Sequence, residues 1–160
     1  KPTMESRAET KNVKIVWDIP GLLPQVNCNR QAVKGILTNL IDNAIKYSPE
    51  NGTVTIQISL RKSNSSEMVL KVSDEGDGIP SDKVPYLFTR FEKINSGSAK
   101  NWHTVGLGLY VANELAKLNG IRLLYSDAEG GGACFSAVFQ LDESFAHGIE
   151  SVDDEIHDTE

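Results

Sequence analysis

The sequence predicts a two-layer α/β sandwich, a mixed β-sheet with helices on one face. Three observations carry this. One long segment repeats its apolar residues at helical spacing, and two later segments alternate apolar and polar residues with the period of a strand. The third is the order of elements, which reads strand, helix, two strands, two helices, two strands. Strands separated by helices in this way gather into one sheet that the helices cover.

Taken in order, residues 1–12 are polar and read as a linker from an upstream domain. The chain opens on Lys1 and not on Met, which points to a piece of a longer protein. Residues 13–18 (VKIVWD) read as a strand closed by the Pro20-Gly21 turn signal. Asn29 is a candidate N-cap, and behind it Val33, Ile36, Leu37, Leu40, Ile41, Ala44 and Ile45 follow i, i+3, i+4 spacing. Ser48-Pro49 ends this helix, because a residue before proline avoids the helical region. At 100° per residue, Asn39, Asp42, Asn43, Lys46 and Tyr47 occupy an arc of about 140° opposite the apolar half. Two Asn four residues apart are unusual there, since Asn is a weak helix former.

Val54-Ile56-Ile58-Leu60 and Met68-Leu70-Val72 read as antiparallel strands with one buried face, joined by the polar stretch 61–66. Asp74–Pro80 is a sharp turn, followed by a short helix carrying Val84, Leu87 and Phe88. Asn95–His103 reads as a mobile loop. A second long helix runs from about Gly106 to a terminal glycine, Gly120. Strands at 121–126 and 133–141 then flank Glu129–Gly132.

Composition narrows the function. A chain of 160 residues fits one domain, 13–141, with a tail. No apolar run reaches the ~20 residues of a membrane span. Cys28 and Cys134 have no partners at zinc spacing and read as buried, reduced thiols of a cytoplasmic domain, with a disulfide as the alternative reading. Of the 22 acids eight lie beyond Leu141 with no Lys or Arg among them, leaving 14 acids against 16 bases in the body. Residues 142–160 therefore read as an acidic, disordered tail, and a body near +2 is too weakly basic for a nucleic-acid surface. GxxxxGK[ST], a strand-linked GxGxxG, the HRD and DFG pair, GxSxG and HExxH are all absent.

What the sequence has instead is four pieces in order: NLIDNAIKYS (39–48), DEGDGIP (74–80), LFTRFEK (87–93) and GLGLYVA (106–112), with GGGACF (130–135) behind them. They resemble the N box, first glycine box, F box, second glycine box and third glycine segment of sensor histidine kinase catalytic domains. The wider superfamily with this Bergerat-type ATP-binding fold includes DNA gyrase, MutL and the heat-shock chaperones. The resemblance spans residues 13–141.

That resemblance implies a site for ATP and Mg²⁺. Asn43 matches the Asn whose side-chain oxygen binds the metal, a hard-oxygen preference that phosphate oxygens and water complete. Asn39 stands one turn earlier, beside the metal and γ-phosphate. Lys46 is placed to meet phosphate, and Tyr47 matches the adenine-stacking aromatic. Asp74 matches the acid that accepts from the adenine amine, with Gly76, Gly78 and Ile79 shaping the turn. Phe88 and Phe91 match the aromatics that seat the lid, and both Arg90 and Lys93 are candidates to reach the γ-phosphate. Gly106, Leu107, Gly108 and Leu109 open a helix whose N–H groups face the phosphates. Trp102 either caps the nucleotide or packs the closed lid.

The resemblance further implies protein-histidine kinase activity, a histidine-bearing dimerisation domain in the same protein and a response regulator as partner. The full-length protein would be a dimer and this fragment a monomer. None of His103, His147 and His157 matches the phosphoacceptor context, so no catalytic histidine is expected in this chain. Thr104-Val105 departs from the glycine-containing pattern before Gly106, and Ala133 replaces the family's Thr. Those departures keep a non-catalytic nucleotide-binding module in view. A gyrase- or MutL-type ATPase would carry Glu one turn before the metal-binding Asn, where this sequence has Asn39.

Overall fold

A computed structural model describes residues 4–62, 66–89 and 106–141. The expected lid at 95–103, Arg90, Phe91, Lys93 and Thr104-Val105 lie outside the described residues, as does the tail from 142. Helices α1 (Met4–Lys11), α2 (Arg30–Tyr47) and α3 (Gly106–Leu118) combine with strands β1 (Lys14–Asp18), β2 (Thr53–Lys62), β3 (Ser66–Ser73), β4 (Arg122–Asp127) and β5 (Ala133–Gln140). The strands form one sheet in the order β1-β2-β3-β5-β4. β1 and β2 are parallel and every other pair is antiparallel, so the sheet is mixed as predicted. A parallel pair needs a long crossover, and α2 supplies it.

The core lies between sheet and helices. From the helix side come Ile36, Leu40, Ile41, Leu109, Ala112 and Ala116, and from the sheet Val54, Ile56, Leu70, Val72, Phe135 and Ala137. α2 and α3 cross closely, since a Cβ added at Gly35 would stand 3.0 Å from Leu115 Cδ1. Their ends are tied together as well. Asn29 Oδ1 accepts the N–H groups of Gln31 (2.9 Å) and Ala32 (3.1 Å), a full N-cap for α2. The Asn29 N–H in turn donates to Asn119 Oδ1 at the end of α3 (3.2 Å), where Gly120 at φ +66° turns the chain toward β4. The far end of α2 stops at Ser48, as the following proline requires.

Three expectations change. Within the stretch read as a polar linker, residues 4–11 form a helix, stopped by Asn12 in the left-handed region (φ 53°). Val13 N–H returns to Ala8 O (2.8 Å), and both side chains join the core. Lys11 Nζ donates to the carbonyls of Ile45 (3.3 Å) and Lys46 (2.6 Å), capping the last turn of α2. The short helix after Pro80 is only a 3₁₀ turn, Val84–Tyr86, with Leu87 buried behind it. The central strands are buried on both faces: β5 from Ala133 to Phe139, and β3 at Val69 and Glu67 as well as at Met68, Leu70 and Val72. Buried Glu67 is held by Arg122 Nη2 at 2.6 Å, with Arg61 Nη1 at 3.9 Å.

Candidate functional site

Between the end of α2, the loop after β3 and the start of α3 lies a cleft lined by Asn43, Tyr47, Asp74, Asp77, Gly78, Ile79, Leu109, Ala133 and Phe135. Helical periodicity brings Asn43 and Tyr47 to it, four residues apart on one face of α2. Asp74 leaves β3 in register with the start of β5. Its N–H donates to Ala133 O (2.9 Å), and its Oδ1 accepts the N–H groups of Ala133 (3.1 Å) and Gly76 (2.9 Å). Both N–H groups that the carboxyl accepts fall on Oδ1, so among the described residues Oδ2 is not used to hold the loop. Asp74 is only 5% exposed, and this burial pushes its carboxyl above the usual range. The two backbone N–H groups and the charge of Lys11 oppose that rise without cancelling it.

Glycine is required at two close approaches here. A Cβ at Gly76 would come 2.5 Å from the Tyr47 carbonyl oxygen. A Cβ at Gly132, which has φ +93°, would collide with the Asp74 carbonyl oxygen. The loop from Asp74 to Gly78 is therefore packed against the end of α2 at Gly76 and against Gly132 before β5 at Asp74 and Gly78.

The other end of the cleft is built from side chains. Asn39 Nδ2 donates back to Gly35 O (2.9 Å), and Asn39 Oδ1 would stand 3.0 Å from a Cβ at Gly108. Asn39 thus abuts the first turn of α3, where Leu107 is exposed and Leu109 is buried against the cleft. The Asn43 amide nitrogen is buried and has no partner among the described residues. A buried donor left without a hydrogen bond costs the fold stability, so this amide nitrogen fits a ligand-facing role. Lys46 Nζ stands 5.0 Å from the Tyr47 ring centroid, and desolvation lowers its pKa. Lys46 is exposed and, like Gly76 and Asn39, borders the cleft without lining it.

The structure therefore brings together Asn43, Tyr47, Asp74, Gly78, Ile79 and Leu109 from the expected set. Arg90 and Lys93 are outside the described residues, and of Gly106 only the backbone is described, as the first residue of α3. Asp77, Ala133 and Phe135 also line the cleft and were not assigned a role. Each sits inside a glycine-box segment, but nothing local says that it points inward. Phe135 meets Phe88 edge-on (6.3 Å between centroids, 79°), so that F-box aromatic packs on the wall of the cleft.

The cleft thus combines apolar walls from Ile79, Leu109 and Phe135, the buried carboxyl of Asp74 and polar side chains on the face of α2. Residues 28–143 match the model of the histidine kinase-, DNA gyrase B- and HSP90-like ATPases, and the chain belongs to this family. Within it the chain is similar to sensor kinases. It is 30% identical over 132 residues to the adaptive-response sensory kinase SasA of Synechococcus elongatus, covering 82% of this chain and 33% of that protein. It is 32% identical over 135 residues to the sensor histidine kinase TmoS of Ectopseudomonas mendocina, covering 84% of this chain and 14% of the relative. Among solved structures, full-length ShkA in complex with AMPPNP matches with a TM-score of 0.69 and 26% identity, over 85% of this chain and 27% of ShkA. The chain thus spans a third or less of the length of these relatives and carries the ATP-binding catalytic domain found in them.

Proposed function

We propose that this domain binds Mg²⁺-ATP and presents the γ-phosphate to a histidine on a separate dimerisation domain of the same protein. The observation that supports this best is the convergence of Tyr47, Asp74, Ile79 and Phe135 on one slot whose far end opens between Asn43 and α3. Tyr47 and Phe135 supply apolar walls for a base, and Asp74 Oδ2 accepts from its exocyclic amine. Asn43 offers one neutral oxygen to the metal. Among the described residues no group of three or more His, Cys, Asp or Glu could hold a metal alone. Mg²⁺ fits such a site because it enters with the phosphates and keeps water ligands.

The metal supplies charge neutralisation at the phosphates, and phosphoryl transfer depends mainly on such neutralisation and on positioning. The chain's own contribution is to hold the base end fixed, so that the phosphates project along Asn39 and Asn43 toward the first turn of α3. Lys46 adds positive charge near that path, and Arg90 or Lys93 is the candidate cation at the γ-phosphate. Backbone N–H groups at Gly106–Leu109 face the same region. A hydrolytic mechanism would call for a carboxylate at residue 39, whereas Asn39 stands there with its amide bonded to Gly35 O.

The acceptor histidine, the dimer it belongs to and a response regulator that takes the phosphoryl group onward are partners outside this domain. The setting is cytoplasmic, and among the described residues no helix is long and apolar enough to cross a membrane. No nucleic acid is involved. The test combines calorimetry with radiolabelled ATP. The domain should bind ATP more tightly with Mg²⁺, leave itself unlabelled, and label an added dimerisation domain of its own protein with an acid-labile phosphate. Acid-labile label on the isolated domain would overturn this reading.

A further inference from the structure

Strand β4 is not part of any motif that points to the site, yet one of its side chains reaches the loop that forms the site's wall. The Tyr125 hydroxyl accepts the N–H of Ile79 (3.1 Å) and donates to Asp127 Oδ1 (2.7 Å). Its ring packs on Phe135, with centroids 5.5 Å apart, and Phe135 lines the same cleft as Ile79. We propose that Tyr125, oriented by Asp127, is a positioning residue of the base pocket, fixing the Asp77–Ile79 wall by holding the Ile79 amide away from the ligand. This rests on the nucleotide reading given above.

The physical case has three parts. Gly78 at φ +70° gives the loop a glycine joint directly before Ile79, where the backbone is least restricted. Gly132 restricts one side of that joint, its carbonyl oxygen lying 3.3 Å from where a Gly78 Cβ would be. On the other side, the contact that fixes the Ile79 peptide is the Tyr125 hydroxyl. A hydroxyl can accept and donate at once, and Asp127 Oδ1 accepts its O–H, which leaves the oxygen lone pairs for Ile79. The hydroxyl keeps that proton to strongly alkaline pH, because burial first and the neighbouring Asp127 second push Tyr125 up to about 12. The two are i and i+2 in the strand, so both side chains lie on the same face of β4.

Tyr125→Phe keeps the ring against Phe135 and removes only the hydroxyl. Its consequence should be local. Amide exchange at Ile79 should quicken while the amides of β3 and β5 keep their protection. ATP and adenosine should both bind about three- to ten-fold more weakly, by the same factor, because the lost bond acts at the base end. Asp127→Asn, which retains an oxygen acceptor for the hydroxyl, should keep most of the affinity. Unchanged affinity in Tyr125→Phe, a loss confined to ATP, or a general loosening of the sheet amides would overturn the proposal. A wild-type domain that binds neither ligand would instead overturn the nucleotide reading, and the Ile79 exchange rate, measured without ligand, would still report the clamp.

Discussion

The two ends of the cleft are made from different materials. At the end proposed for the base, backbone groups take part in each contact: the Asp74 N–H donates to Ala133 O, Gly76 and Gly132 are packed where no Cβ fits, and the Ile79 N–H is held by the Tyr125 hydroxyl. At the phosphate end the groups are side chains on helix faces, Asn39 and Asn43, set against the first turn of α3. Among the described residues Asn43 has no partner for its buried amide nitrogen. A part built from backbone is inseparable from the fold, whereas a side chain on a helix face can change without disturbing the helix. Substitutions at the base end should therefore change stability as well as binding, in the same or in opposite directions, and those at the phosphate end should change binding with little effect on stability.

The largest effect is expected at Gly132. Ala there combines a left-handed φ with a collision against the Asp74 carbonyl, so the β3–β5 pairing must shift. Gly132→Ala should lower stability by roughly 2–4 kcal/mol, read by urea unfolding, and remove detectable ATP binding. A variant that folds as wild type and binds ATP would break the comparison at its base end.

Asp74→Asn should weaken ATP binding by about 1.5–3 kcal/mol, or ~10- to 150-fold in calorimetry, because in the proposed binding mode the charged acceptor of the base amine is lost. Its effect on the empty protein has the opposite sign. The carboxyl is raised in the folded state, so the fold is favoured while Asp74 is protonated and loses that stability as pH rises through the folded pKa. Asn is neutral throughout. The variant should therefore melt above wild type at pH 7, with the ionisation advantage vanishing below about pH 3.8. A lower melting temperature at neutral pH would show that the two N–H bonds to Oδ1 outweigh desolvation.

Asn43→Ala sharpens the other side of the comparison. Stability should stay level or rise by up to ~0.7 kcal/mol, the difference in helix propensity, since no hydrogen bond of the buried amide nitrogen is lost. ATP affinity in the presence of Mg²⁺ should fall on the order of ten-fold, with little change in its absence. Equal losses with and without Mg²⁺ would remove Asn43 from the metal.

Smallest should be Lys11→Met, which removes the ammonium that caps α2 while keeping the stem. The loss of its two carbonyl contacts should cost about 0.5–1.5 kcal/mol, visible as a fall in melting temperature, with ATP affinity unchanged. A large drop in affinity would mean that α1 sets the position of Tyr47, and the division into two ends would need a third party.

Much of this architecture was legible from the sequence because its information is local. The apolar stripe of α2 and the polar arc opposite it follow from a 3.6-residue period, which places Asn43 and Tyr47 together before any fold is known. The caps at Asn29 and Gly120 and the stop at Ser48-Pro49 are likewise decided by neighbouring residues. Asp74 and the glycines around it announce a tight turn by composition alone. Other features depended on pairing between distant segments. Residues 4–11 carry few apolar side chains, and only the docking of Ala8 and Val13 into the core, with Lys11 on the end of α2, turns them into a helix of the domain. The inward aim of Phe135 and Ala133 depends on the register of β3 against β5, which strand alternation leaves open by one residue. Tyr125 reaches Ile79 across 46 positions of sequence, through β4 pairing on β5. Local periodicity fixes what an element is, but the partner of a side chain is set by which strands lie beside each other, and that is decided only when the chain has closed on itself.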